Sequence, residues 1–297
     1  MHISVLKKGV VKLLDPKPNQ NFVDATVNGG GHAQAILART GPGGKLLAID
    51  WDKEVLQKFK KRAVARKIAS KIVFIHDNFA NIRIIVNRKG LTPIAGIIAD
   101  LGLSSWQLEK SGRGFSFQKD EPLIMNFGQT SGGLTAGDLV NGASEKELAD
   151  IIYRFGEERQ SRQIAHALVA ARRRAKISTS RQLAEIIKTA VGWRYRRQKI
   201  HPATRTFQAL RIAVNDELGN LEKFLNDAFA ILPPSGKLAI ISFHSLEDRL
   251  IKNFYRQQQK QGTGEILTKK PIRPDRQEII QNPKSRSAKL RAIKKIA

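Results

Sequence analysis

Cysteine is absent from this 297-residue chain. Disulfides, thiolate metal ligands and thiol nucleophiles are therefore excluded. Acidic residues are scarce: 26 Asp and Glu stand against 52 Lys and Arg, a formal charge of +26. Such an imbalance disfavours compaction through self-repulsion and draws the chain to polyanions, with nucleic acid preferred to an anionic lipid surface. Long apolar runs are also missing, and no uncharged stretch reaches the roughly eighteen residues of a membrane span. The first residues, Met1-His-Ile-Ser-Val-Leu-Lys-Lys8, lack the layout of a signal peptide. A cytoplasmic protein without a membrane partner is expected. The 41% hydrophobic content suffices for a packed core.

The charge is unevenly spread. Arg154 to Arg211 holds 15 basic residues against 3 acidic ones, and Arg249 to Lys295 holds 14 against 3. The rest of the chain is near neutral. Arg172, Arg173 and Arg174 precede Trp193-Arg-Tyr-Arg-Arg197, where aromatics among arginines suit phosphate contact with base stacking.

In the near-neutral part, Asn21-Phe-Val-Asp-Ala-Thr-Val-Asn-Gly-Gly-Gly-His32 runs from an apolar segment through an acid to three glycines. Helical spacing follows in Ala33 to Ala38. A strand, a glycine turn and a helix start make the first half of a nucleotide-binding unit, with the helix N-terminus favouring electron-rich groups. A second strand, Lys45 to Asp50, ends on a carboxylate about twenty residues past the glycines, where a ribose would be held. A helix over 54–67, a strand over Lys71 to Asp77 and another over Ile94 to Asp100 continue the alternation. The strand ends of a parallel sheet share one edge, where ligands bind.

From about residue 109 the pattern becomes helical and basic, with helices expected over 145–155, 161–176 and 180–191. Ser144 with Glu147 forms a capping-box pair, and Thr179 or Ser180 is a cap. Helices over 201–215 and 216–232 follow, and Lys237 to Ser242 reads as a fifth strand. A helix over 246–255 and two extended segments complete the chain. The expectation is a core of residues 1–108 and 206–297, interrupted by a helical insertion over 109–205.

Several chemistries are excluded by pattern. Gly44-Lys45 is followed by Leu46, where a phosphate-binding loop needs Ser or Thr for magnesium. His244-Ser245 lacks the nucleophile elbow of a hydrolase. The six histidines lack zinc-ligand spacing, so no metal is expected. Between dinucleotides and S-adenosylmethionine, contiguous glycines do not fit G-x-G-x-x-G, and the methyl donor needs no pyrophosphate cradle.

The sequence resembles the bacterial 16S rRNA (cytosine-N4)-methyltransferase family nearly end to end. The resemblance rests on Asn28-Gly-Gly-Gly-His32, Asp100-Leu-Gly-Leu-Ser-Ser-Trp-Gln107, Arg113-Gly-Phe-Ser-Phe117, Gly156-Glu-Glu-Arg159, His201-Pro-Ala-Thr-Arg-Thr-Phe-Gln-Ala-Leu-Arg211, Ser242-Phe-His-Ser-Leu-Glu-Asp-Arg249 and Asn282 to Arg291. It implies a Rossmann-like class I S-adenosylmethionine-dependent α/β sheet interrupted by a helical insertion that meets the RNA. It places cofactor contacts at Gly30, Gly31, His32, Asp50, Phe79, Asp100 and Gln107. Asp100 would also accept a hydrogen bond from the target amine and so be catalytic, unless it only caps the next helix. Arg113, His201, Arg205, Arg211, Lys289 and Arg291 are the candidates for gripping 16S rRNA or the small ribosomal subunit. Nothing in the sequence fixes an oligomeric state.

The missing cysteine agrees with a nitrogen acceptor, since methylation at a pyrimidine carbon needs a thiolate to add to the ring first. Three departures from the family stand out. Asn28 occupies a usual glycine position, where Asn tolerates left-handed backbone. Trp51 replaces a basic residue. Ile124, Asn126 and Gly128 replace Asp, Arg and Asp in the segment Glu121 to Gly128. The last departure keeps open a silent RNA-binding factor with the same fold; an NAD-dependent oxidoreductase is the third reading.

Overall fold

The computed structural model describes residues 4–128, 133–192, 195 and 200–296. The chain divides into two compact units, Met1–Ser104 with Leu218–Ala297, and Ser105–Glu217.

The first unit is built on seven strands: β1 (Asn21–Asp24), β2 (Leu46–Asp50), β3 (Ile72–His76), β4 (Ile94–Asp100), β5 (Lys237–Ser242), β6 (Gly264–Ile266) and β7 (Lys289–Lys295). Their order is β3-β2-β1-β4-β5-β7-β6. The first five are parallel, and β7 runs antiparallel to both β5 and β6. This is a Rossmann-like sheet with its strand order reversing between β1 and β4. The reversal opens a crevice at the carboxyl ends of those strands.

Both faces are covered, which explains why these strands read as continuous apolar runs. Side chains alternate between the faces with period two. Phe22, Leu46, Ala48, Ile98 and Ala239 pack against α1 (Lys7–Leu14), α2 (Gly31–Thr40) and α3 (Lys53–Ala65). Val23, Leu47, Ile49, Ile97 and Ile240 face the other way, onto α4 (Ile82–Lys89) and later helices.

The second unit contains α5 (Ser105–Glu109), α6 (Ala136–Gly142), α7 (Glu145–Gly156), α8 (Ser161–Arg172), α9 (Ser180–Ala190) and α10 (Ala203–Asn215). The Ser144–Glu147 capping box is present, Thr179 caps α9 with Gln182, and Thr135 with Asp138 adds a third box. Trp193-Arg194 and Arg196 to Lys199 lie outside the described residues. The unit is wider than the expected 109–205 because α10 packs on α7. A Cβ at Gly156 of α7 would stand 2.7 Å from the Arg205 carbonyl oxygen. Glycine lets the two backbones meet, and the whole of α10 goes with the helices rather than the sheet.

The chain returns to the first unit through α11 (Glu217–Ile231), whose Leu221, Phe224 and Leu225 enter the core, and α12 (Ser245–Lys260), which anchors Tyr255 there. The tail carries α13 (Arg276–Gln281) as well as two strands. Among the described residues no helix is long and apolar enough to cross a membrane.

The segment Glu121 to Gly128 is held by its main chain. Arg113, buried, donates through Nη1 to the carbonyls of Asn126 (3.0 Å) and Phe127 (3.1 Å). Asn215, at the end of α10, accepts from the Phe127 N–H (2.8 Å) and donates to the Met125 carbonyl (2.7 Å). Ile124 takes part through its carbonyl, which accepts from Ala136 N–H. None of these bonds needs the side chains that replace the family's charges. Asn215→Ala would leave a buried donor and acceptor unmatched, at about 1–3 kcal/mol each. It is expected to lower stability in chemical denaturation and to expose residues 121–128 to limited proteolysis, while Asn126→Ala, which removes only an exposed 3.2 Å bond to the Leu134 carbonyl, should have a much smaller effect on both.

Candidate active site at the carboxyl edge of the sheet

Three carboxylates end adjacent parallel strands. Asp24 closes β1, Asp50 closes β2 and Asp100 closes β4, and their exposures are 1%, 7% and 4%. Burying three acids so close together demands fixed partners. Asp50 accepts the Asn28 N–H at Oδ2 and the Asp52 N–H at Oδ1, both at 2.9 Å. The Asp100 N–H donates to the Thr26 hydroxyl, and Asp100 Oδ1 accepts from Gly102 N–H at 3.3 Å. Asp24 Oδ1 accepts from Thr26 N–H at 3.3 Å, whereas its Oδ2 has no hydrogen-bond partner among the described residues.

The turn between β1 and α2 organises this edge. Asn28 is left-handed, with φ 47°, as is Gly30, with φ 74°. The side chain of Asn28 reaches across the reversal point and donates to the carbonyls of Asp100 (3.1 Å) and Gly102 (3.4 Å). Its departure from glycine therefore adds a tie between β2 and β4. The glycines at 30 and 31 also answer a packing demand. A Cβ at Gly30 would fall 2.0 Å from the Phe59 ring, and one at Gly31 would fall 2.0 Å from Ser4 Oγ.

His32, in the first turn of α2, is 5% exposed, and neither ring nitrogen has a hydrogen-bond partner among the described residues. Its Nε2 lies 3.6 Å from Asp100 Oδ2. Burial pushes the Asp24 carboxyl up to about 7; the Asp100 and Asp50 charges add to this, and His32 and the Thr26 N–H oppose it. Phe79 follows β3 in a short turn fixed by Asn78, which accepts from Ala80 N–H and donates to Asn220. One edge of Phe79 packs on Phe224 (ring centroids 5.1 Å apart, nearly perpendicular), so it serves the core whatever else it touches.

Gly30, Gly31, His32, Asp50, Phe79 and Asp100 thus belong to one sheet edge of the first unit. Gln107, buried on α5, belongs to the second unit. Asp24 was not singled out as a site residue from the sequence; its only signal there was its place at the end of a strand.

The six basic or aromatic candidates fare unequally. Arg113 is buried and bonded to the 121–128 main chain. Arg211 makes a two-pronged bond to Glu217 (2.6 and 2.9 Å). Arg205 pairs with the buried Glu158 (3.6 Å). Lys289 and Arg291 both bond Asp248. Burial works against ionising Asp248, yet these two cations hold its carboxyl below the ordinary value. His201 is the exposed one, stacked on Phe117 with ring centroids 4.4 Å apart. Spacing alone cannot tell a cation that neutralises its own fold from one that faces a ligand.

A family model, the MraW methylase family, matches residues 1–296. This chain belongs to the MraW methylase family. Curated relatives run the same length. A protein of Syntrophotalea carbinolica named ribosomal RNA small subunit methyltransferase H is 43% identical, over 99% of this chain and 98% of that protein. Proteins of the same name from Desulfotalea psychrophila (41%, covering 100% and 98%) and Thermomicrobium roseum (43%, covering 100% and 94%) are similarly close.

A methylase of the MraW family draws its methyl group from S-adenosylmethionine. The edge fits that molecule. Its sulfonium and ammonium are cations, and the residues present are three buried carboxylates with an orphaned oxygen on Asp24. Asp50 stands at the end of β2, where a ribose diol is received.

Asp24 carries a pH signature. Below its ordinary value of 3.8 it is protonated in folded and unfolded chains alike. Between 3.8 and about 7 the unfolded chain ionises while the folded chain keeps the proton, so folding loses stability as pH rises. Asp24→Asn removes that loss. Its melting temperature relative to wild type, read by calorimetry without cofactor, should climb through this window and level off above it. A difference independent of pH would contradict the buried-acid assignment.

Proposed function

We propose that this MraW-family protein transfers a methyl group from S-adenosylmethionine to the N4 amine of a cytosine in small-subunit (16S) ribosomal RNA, in the cytoplasm. The observation that carries the reading is Asp100, buried at the end of β4 with Oδ2 3.6 Å from His32 Nε2, on the edge shared with Asp24 and Asp50. Relatives that match along their whole length bear the name of that activity. The same match favours an active enzyme over a silent RNA-binding relative, as does the main-chain support of the segment that departs from the family.

When bound, the cofactor supplies a methyl group already activated on a positively charged sulfur. The protein's share is alignment and proton handling. Asp50 would hold the ribose, Phe79 would flank the adenine, and Gly30, Gly31 and His32 would border the rest of the cofactor. The N4 lone pair of cytosine is delocalised into the ring. Asp100, by accepting an N4–H hydrogen bond, draws that lone pair back onto nitrogen. The proton shed by the amine would pass to the Asp100 carboxylate, whose Oδ2 lies 3.6 Å from His32 Nε2. The target base must leave its stack to reach the edge. His201, exposed on its Phe117 platform, is the RNA contact we favour among the second-unit candidates.

Asp100→Ala is expected to lower methyl incorporation into small-subunit particles by at least a hundredfold, the scale of a positioned acid–base group. Mapping methylated cytosines in ribosomal RNA with and without the protein checks the position. Near-wild-type turnover in Asp100→Ala would remove this residue from the mechanism, and an unchanged methylation map would remove the function.

A further inference from the structure

Sequence composition places the positive charge at 154–211 and 249–295, but several of those cations are bonded inside the fold. The first unit holds others that are not. A cleft of about 630 Å³ runs between α1 and α2, lined by Lys7, Lys8, Lys12, Lys17, Arg39 and Asp15, among others. Asp15 neutralises Lys17 at 2.9 Å. Lys7, Lys8, Lys12 and Arg39 are exposed and form no ion pair among the described residues.

These charges work against the helix that carries them. Lys7 and Lys8 occupy the first turn of α1, the positive end of the helix dipole, and that turn has no acidic residue. Glu278 from α13 reaches this end, and it accepts the Leu6 main-chain N–H (2.6 Å). Lys8 and Lys12 are four apart, so like charges face each other on one side of the helix. Arg39, in the last turn of α2, adds a further cation to the same cleft. The helix holds because Val10, Val11 and Leu14 are buried beneath it. Nothing in the fold itself calls for four cations around one concavity, whereas a chain of phosphates does.

We infer that the α1–α2 cleft docks the phosphodiester backbone of the RNA substrate, at a site distinct from the carboxylate edge that receives cofactor and base. This inference rests on the ribosomal RNA reading above. A lipid surface fits the cleft poorly. The cations line a concavity instead of a flat helix face, and the apolar side of α1 is buried in the core, unable to enter a bilayer. The glycine loop ties the cleft to the active edge, because α2 begins at Gly31 and Ser4, just ahead of α1, packs on that residue. A strand of RNA lying along α1 would therefore reach the edge where its target base is presented.

The test compares Lys7→Gln/Lys8→Gln/Lys12→Gln with a control triple of equal charge, Lys61→Gln/Lys67→Gln/Lys89→Gln, exposed elsewhere on the first unit. Binding of small-subunit rRNA is measured over a range of salt concentrations, alongside binding of anionic phospholipid vesicles, cofactor calorimetry and thermal melting. The cleft triple should bind RNA about tenfold or more weakly, with the slope of log affinity against log salt smaller by about two to three, roughly one per lost phosphate contact. Its cofactor binding should be unchanged and its melting temperature equal or higher, because like-charge repulsion is removed. Equal weakening in both triples would reduce the effect to net charge and overturn the site. So would RNA binding unchanged in the cleft triple, or a loss confined to vesicles. If wild type binds and methylates ribosomal RNA, such results count against the cleft alone. If wild type does neither, the ribosomal RNA reading falls and the cleft with it.

Discussion

The active edge depends on one residue's three hydrogen bonds. Asn28 gives its main-chain N–H to the Asp50 carboxylate and its side-chain amide to the carbonyls of Asp100 and Gly102. Those bonds join the ends of β2 and β4 across β1, at the point where the strand order reverses. A crevice at that point exists because consecutive strands depart in opposite directions. Without a tie, three buried acids would push it wider. The left-handed backbone at Asn28 lets one short side chain reach both neighbours.

The carboxylates are held unequally, and the inequality is chemical. Asp50 has main-chain donors on both oxygens, which suits a group that receives hydroxyls in a fixed direction. Asp24 has one donor and an orphaned oxygen, and burial keeps its proton near neutral pH. Asp100 lies between these cases, bonded to Gly102 on one oxygen and facing His32 with the other. An edge whose acids differ in hydrogen bonding can accept a cationic cofactor and still offer an acceptor to an amine.

A similar division runs through the basic residues. A protein with +26 charges must compensate some of them internally to fold at all. Arg113, Arg205, Arg211 and Arg291 serve this purpose through carbonyls or carboxylates at bonding distance, in places where planar, two-pronged donors are worth most. The lysines of α1, long and exposed on a helix anchored from below, are among those that stay turned to solvent. These four arginines are architecture, whereas the lysine-rich cleft meets the solvent.

Much was legible in the chain itself. Unbroken apolar runs marked β2 to β5 to within a residue, because a strand buried on both faces leaves no room for polar interruption. Capping boxes placed α7 and α9 because their bonds are local. Gly30, Asp50 and Asp100 were recognisable because a turn, a strand and an acid at fixed spacing carry their meaning in sequence order. Tertiary structure alone decided the rest. Ser4 presses on Gly31 from a distant part of the chain, α10 joins the helical unit because Gly156 admits its backbone, and Asp24 keeps a proton because folding buries it, with two other acids adding to the effect. Which cations are free is likewise settled by partners tens of residues away, such as Asp248 for Arg291. Sequence records local spacing, whereas burial and partnership are properties of the folded chain.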